Sequence, residues 1–326
     1  MNKLYVSSSP HIRSTATTSR IMLDVVIALL PTAIMGCIIF GLRALLTLAV
    51  CTATAVLSEF LFNIIVKKQQ TIFDLSAVVT GLILGLNLRA DAPVWQCVIG
   101  SVFAIVVVKC LFGGLGCNFA NPAVTARIFM LLCFSGSTVV ADGVEKVVGV
   151  GGGAMPGLSI TGAELVTGAT PLAVLGGEGG TLPSMLDMLL GSRQGAIGEA
   201  CIAAIIVGFV YLVVRRVINF EVPVIFVSTV FLSSLIASGD ITVATYQILA
   251  GGLVFGAVFM ATDYVTTPIT RTGRMIFAFG AGLITFLIRQ FGSLPEGVSY
   301  SILFMNIVSP YIEKWTQRKP LGGKKA

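Results

Sequence analysis

The sequence predicts an all-α integral membrane protein with about ten transmembrane helices, built as an inverted repeat of five plus five with discontinuous helices. Three observations lead to this fold class. A mean hydropathy of +0.96, with 56% hydrophobic and only 11% charged residues, excludes an ordinary soluble domain. Apolar runs of membrane-spanning length recur along the chain. Short glycine motifs recur in its two halves.

The apolar runs set the domain map. They cover residues 21–41, 43–66, 73–88, 94–112 and 120–138, then 195–217, 222–237, 244–260, 272–289 and 297–313. We therefore divide the chain into an N-terminal arm 1–20, a first membrane repeat 21–138, a loop 139–194, a second membrane repeat 195–313 and a basic tail 314–326. The arm is polar and has no small-residue cleavage site after an apolar core, so we expect no signal peptide to be removed.

Basic residues set the expected orientation, since Lys and Arg near span ends mark the cytoplasmic side. In a ten-span model they share the side of the N-terminus: Lys67, Lys68, Arg215, Arg216, Arg271, Arg274 and the tail. The loop 139–194 carries five acidic residues against Lys146 and Arg193, which places it outside the cytoplasm. We expect a multi-pass protein of the cell membrane with both termini cytoplasmic. The net charge of +6 comes from the cytoplasmic ends and indicates no nucleic-acid partner.

The repeat is visible in two motif pairs. Residues 81–85 (GLILG) match 252–256 (GLVFG), and 112–115 (FGGL) match 291–294 (FGSL). With five spans in each copy, the odd number gives the two copies opposite orientations across the membrane, and such folds place polar sites at broken helices. We expect the breaks where short spans begin, at 118–127 and 296–301. The alternative is that glycine-rich membrane helices resemble one another because small residues serve helix packing.

The hexapeptide 166–171, Val-Thr-Gly-Ala-Thr-Pro, lies in the predicted external loop. Gly168 and Ala169 leave the hydroxyl of Thr170 clear of bulky neighbours, and Pro171 biases Thr170 toward an extended backbone. No histidine or paired aspartate lies nearby in sequence to activate this hydroxyl. We interpret it as the acceptor of a group and not as a catalytic nucleophile.

Thr167-Gly168-Ala169-Thr170 resembles the site at which membrane subunits of the RnfD/NqrB family receive FMN through a phosphoester bond to the last threonine. Further stretches resemble the same family in the expected order: SPH at 9–11 with TSRIM at 18–22, GGLGCNFANPA at 113–123 and MATDYVTTP at 260–268. The resemblance covers nearly the whole chain and is greatest to the RnfD branch. It implies covalent FMN on Thr170, a flavin transferase that installs it, and the other Rnf subunits as partners.

Ionisable side chains within membrane spans cost ~2.5–3.5 kcal/mol on insertion scales when central, so each indicates a function by default. The predicted spans contain Asp74, Lys109 and Arg127, and Asp263 lies three residues after the eighth span. A structural alternative for two of them is an ion pair between Arg127 and Asp263 across the repeat interface.

The resemblance implies specific roles for three of the membrane residues. In related Na⁺-pumping subunits the matching asparagines line a bound riboflavin, and these are Asn118 and Asn121 here. The matching acid is implicated in ion movement, and it is Asp263 here. Tyr264 follows that acid where relatives often have proline, which leaves the ion and its path undetermined.

These features favour a membrane subunit of an ion-translocating electron-transport complex of the ferredoxin:NAD⁺ oxidoreductase (Rnf) type, coupled to Na⁺ or H⁺. We expect no catalytic residue in this chain alone, and no metal centre, because the seven cysteines contain no Cys-x-x-Cys pair. The alternative is an inverted-repeat solute channel or secondary transporter without a redox role, since fold does not decide function. Visible flavin absorption distinguishes them, because a transporter is colourless.

The expected orientation is testable by cysteine labelling in whole cells. In a variant whose native cysteines are replaced, we expect Ser159→Cys to react with a membrane-impermeant thiol reagent and Lys319→Cys to remain unlabelled. The reason is that Ser159 belongs to the acidic loop and Lys319 to the basic tail. The reverse labelling pattern would overturn the ten-span orientation.

Overall fold

A computed structural model describes residues 17–134, 175, 184–191, 195–292 and 297–317. Throughout these ranges the secondary structure is helical, with turns and short extended segments between the helices, and strands are absent from them. The predicted all-α class is therefore confirmed for the described part of the chain. Helix is found within all ten of the predicted apolar runs.

The first half forms α1 (Thr18–Phe40), α2 (Leu42–Ile65), α3 (Ser76–Leu86), α4 (Val94–Val102) and α5 (Pro122–Cys133). A 3₁₀ turn, Ile72–Asp74, precedes α3. Helix α4 continues directly into a π-helix, Phe103–Cys110, which we call the first π-helix. π-helical segments are rare and frequently occur at functional sites.

The second half forms α6 (Met185–Leu190), α7 (Ile202–Val214), α8 (Glu221–Ser238), α9 (Ile241–Leu249), α10 (Leu253–Phe255), α11 (Arg271–Phe291) and α12 (Val298–Thr316). A 3₁₀ turn, Ile197–Glu199, precedes α7. Helix α10 continues into a second π-helix, Gly256–Met260. Both halves thus contain a helix that changes to π geometry along its length.

Helix lengths limit how many described elements cross a membrane alone. Four of them, α1, α2, α8 and α11, are long and apolar enough to span, and α9 with α10 and the second π-helix makes a fifth candidate that is bent by 62°. The 11 residues of α3 rise only about 16 Å, roughly half of a hydrocarbon core. Over the most apolar stretches of the four long helices only 28–33% of residues are buried, so their outer faces suit contact with lipid.

The predicted position of the first break is wrong. Helix α5 runs without interruption from Pro122, and Asn121 caps it by accepting hydrogen bonds from the backbone N–H groups of Ala123 and Val124. Asn-Pro is therefore a helix start, with the proline at the first helical position where its missing N–H does no harm. The observed bend lies at 250–252, between α9 and α10. Of the second predicted break, 296–301, residue 296 lies outside the described residues, and α12 runs without interruption from Val298 through the remainder.

The two halves join through pairs of helices. Within the first half α2 packs against α3 and α4, and within the second α8 packs against α9 and α11. Between the halves α1 packs along α7, and α5 packs against α12. The contact between α1 and α7 is close at Gly208, where any Cβ would overlap the carbonyl oxygen of Ala28.

This close approach predicts a stability defect. Gly208→Val should lower the melting temperature of the detergent-solubilised protein, because overpacking a tight contact costs typically 1–3 kcal/mol. The melting temperature is measured by fluorescence-detected size-exclusion chromatography. Val207→Ile adds a methyl group at the adjacent, 58% exposed position and should melt like the wild type. Equal melting of both variants would contradict the tight contact.

Candidate functional site

A cavity of about 90 Å³ lies at one end of the helix bundle. It is bordered by the first turns of α1, α3 and α5 and by the last turns of the first π-helix, α7 and the second π-helix. Three residues singled out in the sequence, Asn118, Asn121 and Asp263, line this one space. The structure thus brings the proposed flavin amides and the proposed ion-pathway acid together, although the whole loop and more than half of the second repeat separate them in sequence.

Asn121 is fully engaged in holding the wall of the cavity. Its Oδ1 accepts from Ala123 N (3.0 Å) and Val124 N (3.4 Å), which caps α5. Its Nδ2 donates to the carbonyl oxygen of Met260, 3.3 Å away at the end of the second π-helix. This side chain therefore positions the two halves of the chain relative to each other.

Asn118 offers an open hydrogen-bonding group to the cavity. It lies in the turn between the first π-helix and α5 and is partly buried. Its Oδ1 is fully buried and has no hydrogen-bond partner among the described residues. A buried acceptor left without a donor costs about 1–3 kcal/mol, so a ligand carrying an N–H or O–H group would gain by binding here.

Asp263 lies in the turn that follows the second π-helix. Its carboxylate accepts from Val265 N (3.2 Å) and from the Thr266 hydroxyl (3.3 Å). The predicted alternative of an ion pair with Arg127 is wrong, because the guanidinium of Arg127 is bonded elsewhere. Asp263 is held by short-range bonds of its own turn and faces the cavity.

Arg127 instead joins three elements, α5, the end of α3 and the 3₁₀ turn before α7, and it does not line the cavity. Its Nη1 donates to Asn87 Oδ1 (2.6 Å) at the end of α3, and its Nη2 lies 3.4 Å from Glu199 Oε1 in the 3₁₀ turn before α7. Both charged side chains are at most 5% exposed. Close packing supports the pair, since a Cβ on Gly252 would lie 2.6 Å from Glu199 Oε1. This buried pair holds the middle of the bundle together.

Lys109 forms a second buried ion pair that does reach the cavity. Its Nζ donates to Glu59 Oε2 on α2 (2.8 Å) and to the hydroxyl of Ser76 at the start of α3 (2.8 Å). Lys109 and Ser76 both line the cavity. Lys109 is among the ionisable residues singled out in the sequence, whereas its partner Glu59 and the buried Glu199 are not. The available signal was a single acid inside each apolar run.

An acid near the start of α1 was missed in the same way. Asp24 accepts from the Tyr211 hydroxyl (2.9 Å) and from Nε and Nη2 of Arg215, both 3.2 Å away. These bonds join α1 to the end of α7 beside the cavity. Because the Arg215 side chain is 56% exposed, solvent screens the ion pair, and its contribution to stability is small.

Four predicted site residues, Thr167, Gly168, Ala169 and Thr170, lie outside the described residues. Their role as a covalent flavin site stays a prediction. The N-terminal arm up to residue 16 and most of the loop 139–194 also lie outside the described residues.

Known proteins are similar in sequence to this chain over nearly its full length. The model of the NQR2, RnfD, RnfE family matches residues 5–322. A relative from Acetobacterium woodii, a subunit of the Na⁺-translocating ferredoxin:NAD⁺ oxidoreductase complex, is 42% identical over 98% of this chain and 95% of its own length. A subunit of the proton-translocating ferredoxin:NAD⁺ oxidoreductase complex of Clostridium ljungdahlii is 38% identical over 99% and 98%.

A third relative is a subunit of the ion-translocating oxidoreductase complex of Stutzerimonas stutzeri, 34% identical over 94% of this chain and 93% of its own length. Each similarity therefore covers more than nine-tenths of both chains. The chain belongs to the NQR2, RnfD, RnfE family.

Proposed function

We propose that this chain is the RnfD membrane subunit of an ion-translocating ferredoxin:NAD⁺ oxidoreductase complex, and that it relays electrons through FMN bound covalently to Thr170. Full-length similarity to three proteins named as subunits of ion-translocating oxidoreductase complexes supports the proposal. The structural observation that favours a site within the helix bundle is the cavity lined by Asn118, Asn121 and Asp263. The other Rnf subunits and a flavin transferase are the partners that this function requires.

Thr170 has the chemistry that an FMN acceptor needs. Its hydroxyl supplies the ester oxygen, Gly168 and Ala169 leave room around it, and Pro171 favours an extended backbone that a transferase can bind. FMN, when bound, accepts electrons one or two at a time, which suits a relay between one-electron and two-electron partners. A covalent bond also retains it in a loop that we place outside the cytoplasm.

The lining of the cavity suits the edge of a second, non-covalent flavin such as riboflavin, although a space of about 90 Å³ has to widen to admit the whole ring system. The unpartnered Oδ1 of Asn118 is an acceptor for a ring N–H, and the lining is otherwise mainly apolar, as an aromatic ring system requires. Asn121 would hold the wall in place and not bind the ring directly, because its amide is committed to backbone groups. Neutral amides bind a ring edge without adding charge to the membrane.

Distance supplies the reason for a second carrier. A flavin on the outer face and redox partners in the cytoplasm are separated by a hydrocarbon core of about 30 Å, too far for one productive electron transfer. The chain has one histidine and no cysteine cluster, so its sequence offers no haem or iron–sulfur ligands for that role. The cavity lies at the bundle end that carries Lys67 and Arg216, the end we place in the cytoplasm.

We also propose that the chain is a five-plus-five inverted repeat, and the contacts between its helices support this. The pairs α2–α3 and α2–α4 correspond to α8–α9 and α8–α11. The halves meet through α1 with α7 and α5 with α12, and in each pair the second helix is the equivalent of the first. Contact between equivalent elements is what a pseudo-two-fold axis produces.

The contacts of two basic residues, Lys109 and Arg289, also support the inverted repeat. Matching the glycine motifs places Gln247 opposite Ser76, and matching the Phe-Gly motifs places Arg289 one residue from the equivalent of Lys109. Lys109 donates to Ser76, and Arg289 donates to the carbonyl oxygen of Gln247, 2.6 Å away. Each cation thus binds the corresponding segment of its own half.

Covalent attachment is tested on denaturing gels. In a host that also expresses the flavin transferase, the wild-type band should fluoresce under ultraviolet light, and Thr170→Ala should be dark because it lacks the ester oxygen. Thr167→Ala is the matched control three residues away and should retain fluorescence. A fluorescent Thr170→Ala band would rule out this site.

The cavity flavin is tested by acid precipitation of the purified protein. Riboflavin or a related flavin should appear in the supernatant while FMN stays with the pellet, and Asn118→Leu should reduce only the released fraction, because it removes the open acceptor. Asn306→Leu changes a buried amide on α12 that does not line the cavity, and it should release flavin like the wild type. A wild-type supernatant without flavin, with FMN present in the pellet, would assign the second carrier to another subunit.

A further inference from the structure

A continuous line of hydrogen-bonding side chains connects the protein surface to the cavity. Thr71 is exposed in the turn after α2, and its hydroxyl donates to Glu59 Oε1 (2.6 Å). Glu59 Oε2 accepts from Lys109 Nζ (2.8 Å), and the same Nζ donates to Ser76 Oγ (2.8 Å) on the cavity wall. Asn63 donates to the Thr71 hydroxyl (3.1 Å) and holds it in place. Each link is within hydrogen-bond distance.

The pair at the centre of this line is costly as a structural element. The side chains of Lys109 and Glu59 are 2% and 3% exposed. Buried ion pairs of this kind are often no more stabilising than apolar residues of the same size, because both charges lose their hydration. Packing alone therefore does not account for a lysine and a glutamate here, and ionisable groups inside membranes commonly mark ion pathways.

Comparison between the two halves points the same way. Arg289, which the repeat places one residue from the counterpart of Lys109, binds backbone oxygens of Gln247 (2.6 Å) and Ala250 (3.3 Å) and the side-chain oxygen of Gln247 (3.4 Å). Its half supplies amide and carbonyl oxygens where the first half supplies the carboxylate of Glu59. The first half thus replaces a fixed contact by two groups that exchange protons.

We propose that Thr71, Glu59 and Lys109 form a proton relay between the aqueous face beside α2 and the cavity. The proposal rests on the function proposed above and supplies the cytoplasmic proton entry to the site. Asp263, which lines the same cavity, is the acceptor at its inner end.

The relay moves one proton in each cycle. An N–H bond of the Lys109 ammonium breaks and an O–H bond forms on Asp263, directly or through cavity water, which leaves a neutral amine beside the carboxylate of Glu59. The Thr71 hydroxyl then passes its proton to Glu59 and in the same concerted step takes one from a hydronium ion of the bulk water, so that no alkoxide forms. Transfer from Glu59 to the Lys109 amine restores the ion pair. One proton has moved from the aqueous face to Asp263.

The geometry selects a proton over a sodium ion on this path. The ammonium group of Lys109 occupies the cation position beside Glu59 and repels a second cation. Both oxygens of Glu59 already accept hydrogen bonds, so a metal ion would need other oxygen ligands. A proton needs only a 2.8 Å hydrogen bond that already exists. Among the described residues, the other titratable groups beside the line and around the cavity are Lys68, Asp74, Cys110, Asp263 and Tyr264.

The test uses the purified complex in proteoliposomes supplied with reduced ferredoxin and NAD⁺. NADH formation, the pH change reported by a dye and the uptake of radioactive sodium are followed together, and the covalent FMN band reports assembly. Lys109→Arg keeps the positive charge and the pairing with Glu59 but releases protons far less readily. We expect proton movement to slow by about a hundredfold, since the pKa of arginine lies two or more units above that of lysine in model compounds.

Two further variants separate the relay from a structural role. The double variant Glu59→Gln/Lys109→Met removes both charges together, so that no buried charge is left unpaired, and should lose proton movement while keeping the FMN band. Arg289→Lys makes the reciprocal change at the cation of the second half that lies one residue from the position equivalent to Lys109, and it should pump like the wild type. Spared proton movement in assembled Lys109→Arg, or in the double variant, would overturn the relay.

Two wild-type results are also decisive. Sodium uptake without primary proton movement would overturn the relay and leave the proposed function intact. A wild-type complex without ferredoxin:NAD⁺ activity would overturn the proposed function, and the relay with it.

Discussion

The amide of Asn121 is the contact on which the arrangement of the cavity depends. Its oxygen caps α5 in the first half, and its nitrogen donates to the carbonyl oxygen of Met260 in the second half, 139 residues further along the chain. That carbonyl ends the second π-helix, and the turn that follows carries Asp263. One side chain therefore fixes the start of one helix, the end of another, and the position of the acid between them. The wall formed by Asn118 and the wall formed by Asp263 keep their spacing through this bond.

The surrounding lipid restricts where helix breaks and π-helical segments can lie in the protein. Open N–H and C=O groups are not tolerated against hydrocarbon, so helix breaks are confined to places surrounded by protein. The long helices α1, α2, α8 and α11 expose apolar faces, whereas α3, α10 and the two π-helices lie among them. The first π-helix contributes Lys109 to the cavity, and the second contributes Val258 and Phe259. The outer helices thus shield an interior whose backbone departs from α geometry where polar groups are presented.

The hydropathy of the sequence was sufficient to locate the helices but not to tell which helices pack against each other. The run predicted at 43–66 is α2, Leu42–Ile65, within one residue at each end, because lipid-facing helices must be apolar over a fixed length. The break expected at 118–127 was wrong because an Asn-Pro helix start and a helix interruption share the same residues. Glu59 had a signal in the sequence as the single acid of its run, but its pairing with Lys109, 50 residues away, had none, because a hydropathy profile contains no information on how helices rotate to face each other. Asn118, Asn121 and Asp263 were selected through family resemblance, and only the fold brings them into one cavity.

The cavity at one end of the bundle also changes how a membrane voltage acts on the protein. Through the proposed relay the cavity is in protonic contact with the adjacent medium, so for protons the voltage falls mainly across the closely packed remainder that contains Arg127 and Glu199. A charge moving within the cavity then crosses little of the field. The roughly 2.3 kcal/mol per elementary charge that 100 mV supplies acts instead on any charge that crosses the packed layer. The short helix α3, which begins beside the cavity and ends at Asn87, places the boundary between these two regions near the Arg127 guanidinium.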